Sequence, residues 1–137
     1  MRNLTLLLCA LLLSTSCRTV GISTEDGGYA EISPTVAAEM MLDSQQVVVL
    51  DVRPADSYRG PAGHIAGSIS VPFDTIERQL PELLPYQNQT VLVYGDTSTD
   101  GAVAAKLLSV AGFRNVVHIS GGLGGWIERG YRTVNSQ

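Results

Sequence analysis

The sequence predicts an α/β fold, with a single doubly wound domain around a central, mainly parallel sheet of five strands. Three observations predict it. Short apolar runs alternate with helical patterns along the chain, as in folds whose right-handed crossovers join parallel strands. The run at 46–50 contains four consecutive apolar residues, which is typical of a strand buried on both faces. The chain has 137 residues, of which 45% are hydrophobic, and this is enough for one domain with a core.

Five segments are predicted to be strands because each is a short apolar run bounded by turn residues. They lie at 29–32, 46–50, 69–71, 90–94 and 115–119. Pro72 ends the third strand, and Asn88 and Gln89 form the turn before the fourth. The carboxyl ends of such parallel strands form the crevice in which α/β domains usually bind ligands.

Five helices are predicted from apolar residues at helical spacing. They cover 34–43, 54–59, 74–84, 100–111 and a last segment that opens at Gly121-Gly122, turns Trp126 and Ile127 towards the core and closes at Gly130. Ser33 precedes Pro34 as the candidate N-cap of the first helix. Gly112 follows the fourth helix as a C′ residue. Pro81 is expected to interrupt the third helix.

The first 16 residues are predicted to be a signal peptide. Arg2 supplies a positive start, the apolar run at 4–13 is too short to span a bilayer, and small residues precede Cys17. The segment 13–17, Leu-Ser-Thr-Ser-Cys, resembles the lipobox of bacterial lipoproteins. The resemblance implies that Cys17 becomes the N-terminus and carries a diacylglycerol and an acyl chain such as palmitate. The alternative is an ordinary secretory signal in which Cys17 is incidental.

The chain therefore divides into three parts. Residues 1–16 are the signal peptide, 17–28 are the lipidated cysteine and a flexible tether, and 29–137 are the folded domain. The lipid anchor implies a membrane-bound protein of the cell envelope. Arg18 follows Cys17, which resembles lipoproteins sorted to the outer membrane and implies its periplasmic face in a cell with two membranes.

Composition and cysteine placement exclude several classes of function. The two cysteines are Cys9 and Cys17, so the domain contains no thiol and no internal disulfide. A net charge of −4 without a basic run excludes a nucleic-acid partner. Two histidines without thiols give no metal-ligand spacing, and no loop has the lysine of a phosphate-binding motif. No metal or cofactor is expected.

The stretch 90–105 is the candidate site, because an apolar strand runs through a short polar loop directly into a helix. The loop 95–101 consists of Gly95, Asp96, Thr97, Ser98, Thr99, Asp100 and Gly101. Such a loop directs backbone N–H groups and the positive end of a helix dipole at one point. Asp100 or Thr99 is expected to cap the helix. A carboxylate there is stabilised in its ionised form and is a poor general acid.

Ser98 and Asp96 are the candidates for hydrolase chemistry in this loop. Ser98 needs a base within hydrogen-bond reach, and the two histidines are His64 and His118. His64 is expected to bond local backbone in the turn before the third strand, and His118 is expected to pack within the fifth strand. The flanks of Ser98 also lack the glycines of a nucleophile elbow.

Three motifs in order resemble the rhodanese family over roughly residues 29–133. The first comprises Asp51-Val52-Arg53, Tyr58 and Gly63-His64-Ile65-Ala66-Gly67-Ser68; the second is Ala111-Gly112-Phe113-Arg114-Asn115-Val116; the third is Gly121-Gly122-Leu123-Gly124-Gly125-Trp126. The resemblance implies the rhodanese-like fold, and its motifs supply five structural residues: Asp51, Arg53, His64, Gly67 and Trp126. Asp51 and Arg53 are expected to bond each other or loop backbone.

In that family, the loop after the fourth strand begins with a cysteine that holds a sulfane sulfur as a persulfide. The resemblance places Gly95 at this position and Asp100 where many members have an arginine. It therefore implies a pseudoenzyme, a domain that binds a partner protein or a small neutral or cationic ligand at 95–101. The alternatives are a hydrolase that uses Ser98 or Asp96, and a persulfide carrier that acts through unlipidated Cys17.

Overall fold

The fold is an α/β domain in which helices cover both faces of one sheet, seen here in a computed structural model that describes residues 23–24, 28–43 and 46–135. The strands are β1 (Ser23–Thr24), β2 (Ala30–Ile32), β3 (Val47–Asp51), β4 (Ile69–Ser70), β5 (Thr90–Tyr94) and β6 (Asn115–Ile119). The helices are α1 (Pro34–Asp43), α2 (Ala55–Tyr58), α3 (Ile76–Leu83), α4 (Ser98–Val110) and α5 (Gly122–Glu128), with 3₁₀ turns at Phe73–Thr75 and Leu84–Tyr86.

The predicted five-stranded parallel sheet is confirmed, and a short strand extends it. The strand order is β1-β2-β6-β5-β3-β4. The five strands from β2 to β4 in this order each pair in parallel with their neighbours. At the edge, β1 pairs antiparallel with β2. The residues of β1 lie within the segment expected to be a tether. Cys17 and the predicted signal peptide, residues 1–16, lie outside the residues that the structure describes.

Alternating side chains of the central strands enter two separate cores. In β5, Val91 and Val93 face α3 and α4, whereas Leu92 and Tyr94 face α1 and α5. All four side chains are at most 1% exposed. This burial on both faces explains why the strand is a continuous apolar run rather than an alternating one.

The carboxyl ends of the parallel strands meet at one edge of the sheet. Asp51 at the end of β3 is in register with Tyr94 at the end of β5. Val93 of β5 is in register with His118 of β6, which is in register with Glu31 of β2. The loops that follow β3, β5 and β6 therefore lie side by side, and the candidate loop is the central one.

The start of α4 differs from the prediction, whereas the glycine after its end is as predicted. The helix α4 begins at Ser98, two residues early, and Thr97 is its N-cap residue. The prediction that Asp100 or Thr99 caps this helix is therefore wrong, because both lie in its first turn. Gly112 has a φ of 97° just after α4, which confirms its place as the C′ residue.

Two further predictions, that Pro81 interrupts a helix and that Ile127 faces the core, are wrong. Pro81 lies inside α3 without ending it, and the helix stops two residues later at Leu83. Ile127 is 46% exposed, because Leu123 and Trp126 already fill the core-facing positions of the short helix α5. Among the described residues, no helix is both long enough and apolar enough to cross a bilayer.

Candidate functional site

The loop 95–97 after β5 is fixed by hydrogen bonds to the loops on both sides. Its Gly95 carbonyl accepts the N–H of Leu123 at the start of α5, at 2.9 Å. On the other side, the Tyr94 carbonyl accepts the N–H of Val52 at 3.0 Å. The candidate loop is therefore held in one conformation by elements that flank it in the sheet.

Position 95 is tightly packed. A Cβ atom built on Gly95 would lie 3.0 Å from the Cβ of Asp100 and 3.1 Å from the backbone nitrogen of Gly101. These distances are shorter than most Cβ contacts, so a side chain at position 95 requires the first turn of α4 to shift by a few tenths of an ångström. The strand, loop and helix remain, and Asp100 and the Gly101 backbone crowd the centre of the loop.

Gly101 allows α4 to approach the sheet closely at His118. A Cβ atom at position 101 would lie 2.8 Å from both Cδ2 and Nε2 of His118. His118 is fully buried, and its Nδ1 lies 2.8 Å from Oε2 of Glu31. Its Nε2 has no hydrogen-bond partner within the described part of the chain. His118 is packed beneath α4, as predicted, and does not reach the loop surface.

Ser98 is engaged in holding the loop rather than in a catalytic pair. Its hydroxyl accepts the backbone N–H of Gly121 at 2.7 Å, which ties the start of α4 to the turn after β6. His64 lies elsewhere, with its Nδ1 3.1 Å from the Tyr58 carbonyl and its ring stacked on Tyr58 at 3.7 Å. The structure therefore gives Ser98 no base among the described histidines.

Asp96 lies on the side of the loop that faces β3. Its Oδ1 is 3.6 Å from Nη1 of Arg53, a side chain that is almost fully buried, whereas Asp96 is half exposed. Both residues line a cavity of about 390 Å³ together with residues of the α2 region, namely Asp56, Ser57, Gly60, Pro61 and Ala62. Asp96 thus has a fixed, buried cation beside it.

A buried hydrogen-bonded cluster supports this side of the loop. Arg53 donates to both carboxylate oxygens of Asp51, with Nη2 at 2.6 Å from Oδ2, and Nη2 also donates to the Gly63 carbonyl at 2.8 Å. The prediction that Asp51 and Arg53 bond each other and loop backbone is confirmed. Burial disfavours the charge of Arg53, but the hydrogen bond and charge of Asp51 outweigh it, so the pKa of Arg53 is raised.

Tyr94 completes the cluster from β5. Its hydroxyl donates to Oδ2 of Asp51 at 2.6 Å and accepts the N–H of Ile65 at 3.0 Å, and Ser68 Oγ lies 3.2 Å away. Burial, followed by the charge and hydrogen bond of Asp51, raises the pKa of Tyr94 well above its ordinary value of 10. From the sequence, Tyr94 is only the last residue of the fourth strand. Its register with Asp51, which gives the hydroxyl its partner, is set by the pairing of strands and leaves no signal in the sequence.

The other predicted structural residues form the frame around the cluster. His64 pairs through its backbone with Val134 in an antiparallel bridge. Gly67 has a φ of 77° in the turn where the Ser68 N–H bonds the Ile65 carbonyl, a conformation that favours glycine. Trp126 is buried on the α1 and α5 side and donates to the Arg132 carbonyl at 3.1 Å.

A second cavity, on the α3 side of the loop, was not foreseen. It has a volume of about 510 Å³ and is lined by Val52, Pro54, Ala55, Pro72, Phe73, Asp74, Thr75 and Asp100. Asp96 and Asp100 both belong to the loop 95–101, but they line different cavities. In the described part of the chain, no three histidine, cysteine or acidic side chains converge as metal ligands.

Comparisons with known proteins agree on the fold. Residues 33–129 match the family described as the rhodanese-like domain. The chain is 31% identical over 90 residues to YibN of Escherichia coli (strain K12), and the match covers 65% of this chain and 62% of YibN. It is 34% identical over 86 residues to the thiosulfate sulfurtransferase GlpE of Pseudoalteromonas translucida, covering 63% of this chain and 78% of GlpE.

Solved structures give the same result. The crystal structure of the Alr3790 protein from Anabaena sp. superposes with a TM-score of 0.69 at 27% identity, and covers 76% of this chain and 80% of that chain. The similarity extends over the sheet and its helices, the part of the molecule that positions the loop 95–101.

We expect that Tyr94→Phe lowers the free energy of unfolding by about 1–3 kcal/mol at pH 8, because the Ile65 N–H and Asp51 lose a buried partner. The folded-state pKa of Tyr94 is raised, so its contribution is fully present below pH 10 and is lost as the pH rises towards the folded value. Wild type should therefore lose stability above pH 10 more steeply than Tyr94→Phe, by up to about 1.4 kcal/mol per pH unit. Urea unfolding from pH 8 to 11 measures both slopes; parallel profiles would contradict the assignment.

We expect that Gly95→Ala destabilises the protein by about 1–3 kcal/mol, because its methyl group overlaps Asp100 and the start of α4. Gly124→Ala is the matched control. A Cβ atom there lies 3.8 Å from the Asp96 carbonyl oxygen, and alanine favours the helix, so stability should stay equal or rise by up to about 1 kcal/mol. Urea unfolding followed by fluorescence of Trp126, the single tryptophan, compares the two. Equal stability of both variants would show that position 95 has space.

Proposed function

This chain belongs to the rhodanese-like domain family, and from that membership we propose that it is a non-catalytic member, held at a membrane through Cys17, that binds a partner at the loop 95–101. The observation that carries the proposal is a glycine at a crowded position in the centre of the loop. A side chain at position 95 would press on Asp100 and the backbone of Gly101. A persulfide carrier needs a thiolate cradled by loop amides at that point.

The other candidate nucleophiles of the loop support the same proposal. Ser98 bonds the Gly121 N–H, and Asp96 lies next to the buried guanidinium of Arg53. Nucleophilic catalysis requires a residue activated by an adjacent base, and the two histidines have other contacts. The relative GlpE carries the name of a thiosulfate sulfurtransferase, so sulfur transfer is the activity against which the proposal is tested.

Binding at the loop is supported by its position at the edge of the sheet and by the hydrogen bonds that hold it. The loop stays at the carboxyl edge of the sheet, where α/β proteins bind ligands, and hydrogen bonds from Leu123 and Gly121 hold it in place. A rigid, exposed loop loses little conformational entropy when a partner binds. Asp96, Thr97, Ser98, Thr99 and Asp100 are all exposed, so the loop offers carboxylates and hydroxyls to a neutral or cationic group.

We expect the protein, solubilised in detergent from expressing cells, to form no thiocyanate from thiosulfate and cyanide above the background of a mock purification. The variant Gly95→Cys should also transfer little sulfur, because position 95 is crowded and the nearby carboxylates raise the pKa of the introduced thiol. A known sulfurtransferase serves as the positive control. Thiocyanate from wild type that disappears in Cys17→Ser would instead support a persulfide carrier at Cys17.

We expect intact-mass analysis of protein extracted from membranes to give a chain that begins at Cys17 and carries a diacylglycerol and one amide-linked acyl chain. Several buried acyl chains make such anchoring stable. The variant Cys17→Ser should leave the membrane fraction or keep its first 16 residues. An unmodified residue 17 in the wild-type protein would contradict the lipoprotein assignment.

A further inference from the structure

The cavity of about 510 Å³ on the α3 side of the loop combines an apolar wall with carboxylates. Val52, Ala55, Phe73 and the two prolines Pro54 and Pro72 supply the apolar surface, and Asp74 and Asp100 supply the charges. Its volume lies within the range of ligand sites. Phe73 is 41% exposed, so an aromatic ring is presented beside two negative charges.

The wall of this cavity is preformed by backbone and side-chain hydrogen bonds. The Phe73 N–H donates to the Val52 carbonyl at 3.0 Å, which joins the loops after β4 and β3. The Thr75 hydroxyl donates to the Pro72 carbonyl at 3.0 Å and accepts from Gln79 at 2.6 Å. A site with fixed walls loses little entropy on binding.

The two cavities differ in the net charge of their linings, and this difference determines which kind of ligand the larger cavity favours. In the smaller cavity, Asp96 lies beside Arg53, which offsets its charge. In the larger cavity the lining contains no lysine, arginine or histidine, and neither Asp74 nor Asp100 makes an ion pair with another described residue. The larger cavity therefore carries uncompensated negative charge next to apolar surface.

A group that complements this cavity has a positive end and an apolar body. An arginine side chain has both, and its planar guanidinium is weakly hydrated, stacks on aromatic rings and pairs with carboxylates. The cavity is also open on one side, whereas small-molecule sites usually enclose most of their ligand. An open cavity suits a side chain whose own protein supplies further contacts outside it.

We propose that this cavity receives an arginine side chain from a partner protein, with the guanidinium against Asp74 and Asp100 and the aliphatic stem on Phe73. The inference rests on the proposed function, because it names the chemistry of the partner at the loop 95–101. Asp100 is the residue shared by the loop and the cavity. Asp74, from the 3₁₀ turn before α3, is a binding residue that the loop sequence alone does not reveal.

The test is an NMR titration of the full chain, ¹⁵N-labelled in zwitterionic micelles, with the peptide acetyl-Ala-Arg-Ala-amide. The same peptide with citrulline in place of arginine keeps the shape but removes the charge. We expect the arginine peptide to shift the amide signals of 72–75 and 98–101, and the citrulline peptide to bind at least several-fold more weakly. Raising the salt concentration from 20 to 300 mM should weaken the binding of the arginine peptide, because the carboxylates are exposed and salt screens their charge.

Isosteric variants separate the site from general charge effects. Asp74→Asn and Asp100→Asn should each weaken binding about two- to five-fold, the range of an exposed ion pair. Asp43→Asn, at the end of α1, makes the same change of charge away from the cavity and should leave binding unchanged. The ¹⁵N spectra of the variants report whether each is folded.

Three outcomes would overturn the inference. These are equal binding of the citrulline peptide, shifts confined to other surfaces, and agmatine binding as tightly as the peptide, which would assign the cavity to a small guanidine. None of these three outcomes would be evidence that the protein transfers sulfur. Conversely, thiocyanate formation would refute the non-catalytic role whatever the peptide does, so the two proposals can fail separately.

Discussion

The candidate site depends on the buried cluster of Asp51, Arg53 and Tyr94. Asp51 ends β3 and Tyr94 ends β5, so the cluster joins two central strands at the edge of the sheet where the loops begin. Arg53 extends it to the Gly63 carbonyl, and the Tyr94 hydroxyl extends it to Ile65 and Ser68. A buried charge pair is tolerated only when hydrogen bonds satisfy its remaining groups. Here those bonds also fix the loop that lies above them.

The hydrogen bonds from Leu123 and Val52 that hold this loop go to backbone carbonyls, so they need no side chain at position 95. The frame can therefore persist while the chemistry of the loop changes. In this chain, Gly95 and Gly101 let the first turn of α4 pack closely, Gly101 onto His118 and Asp100 over position 95. Asp96 and Asp100 then point to opposite sides, one towards Arg53 and one towards the cavity beside Phe73. From these features we propose recognition of a cationic partner rather than transfer of a sulfur atom.

The sequence predicted the sheet and most of the helices because burial leaves a strong pattern. The run 91–94 is apolar along its length, the run 115–119 is mostly apolar, and Gly112 marks a helix end that requires a positive φ. The start of α4 was misplaced because Thr97, Ser98, Thr99 and Asp100 are all residue types that favour the N-cap position. Local preference does not choose among them, and in the structure Thr97 holds the position.

The candidate site was predicted only in outline, because most of its contacts join distant parts of the chain. The loop was located from its strand, turn and helix, and the pairing of Asp51 with Arg53 follows from two charges near a strand end. The roles of Tyr94, Phe73 and Asp74 depend on register and on loops that come together from separate parts of the chain. The opposite orientations of Asp96 and Asp100 are also set by tertiary packing, which spacing along the chain does not reveal.

The central claim is that the start of α4 crowds position 95. The most direct measurement is the alkylation rate of the thiol introduced by Gly95→Cys, compared with that of Gly124→Cys on the exposed side of α5. Each variant is made in a Cys9→Ser, Cys17→Ser background, so that the introduced thiol is the one cysteine of the chain. The account predicts that the thiol at 95 reacts with iodoacetamide at least ten-fold more slowly at pH 7.5, because Asp100 and the start of α4 crowd it and nearby carboxylates disfavour the thiolate. Reaction as fast as, or faster than, that at position 124 would contradict it, since it would show an open loop that still activates a nucleophile.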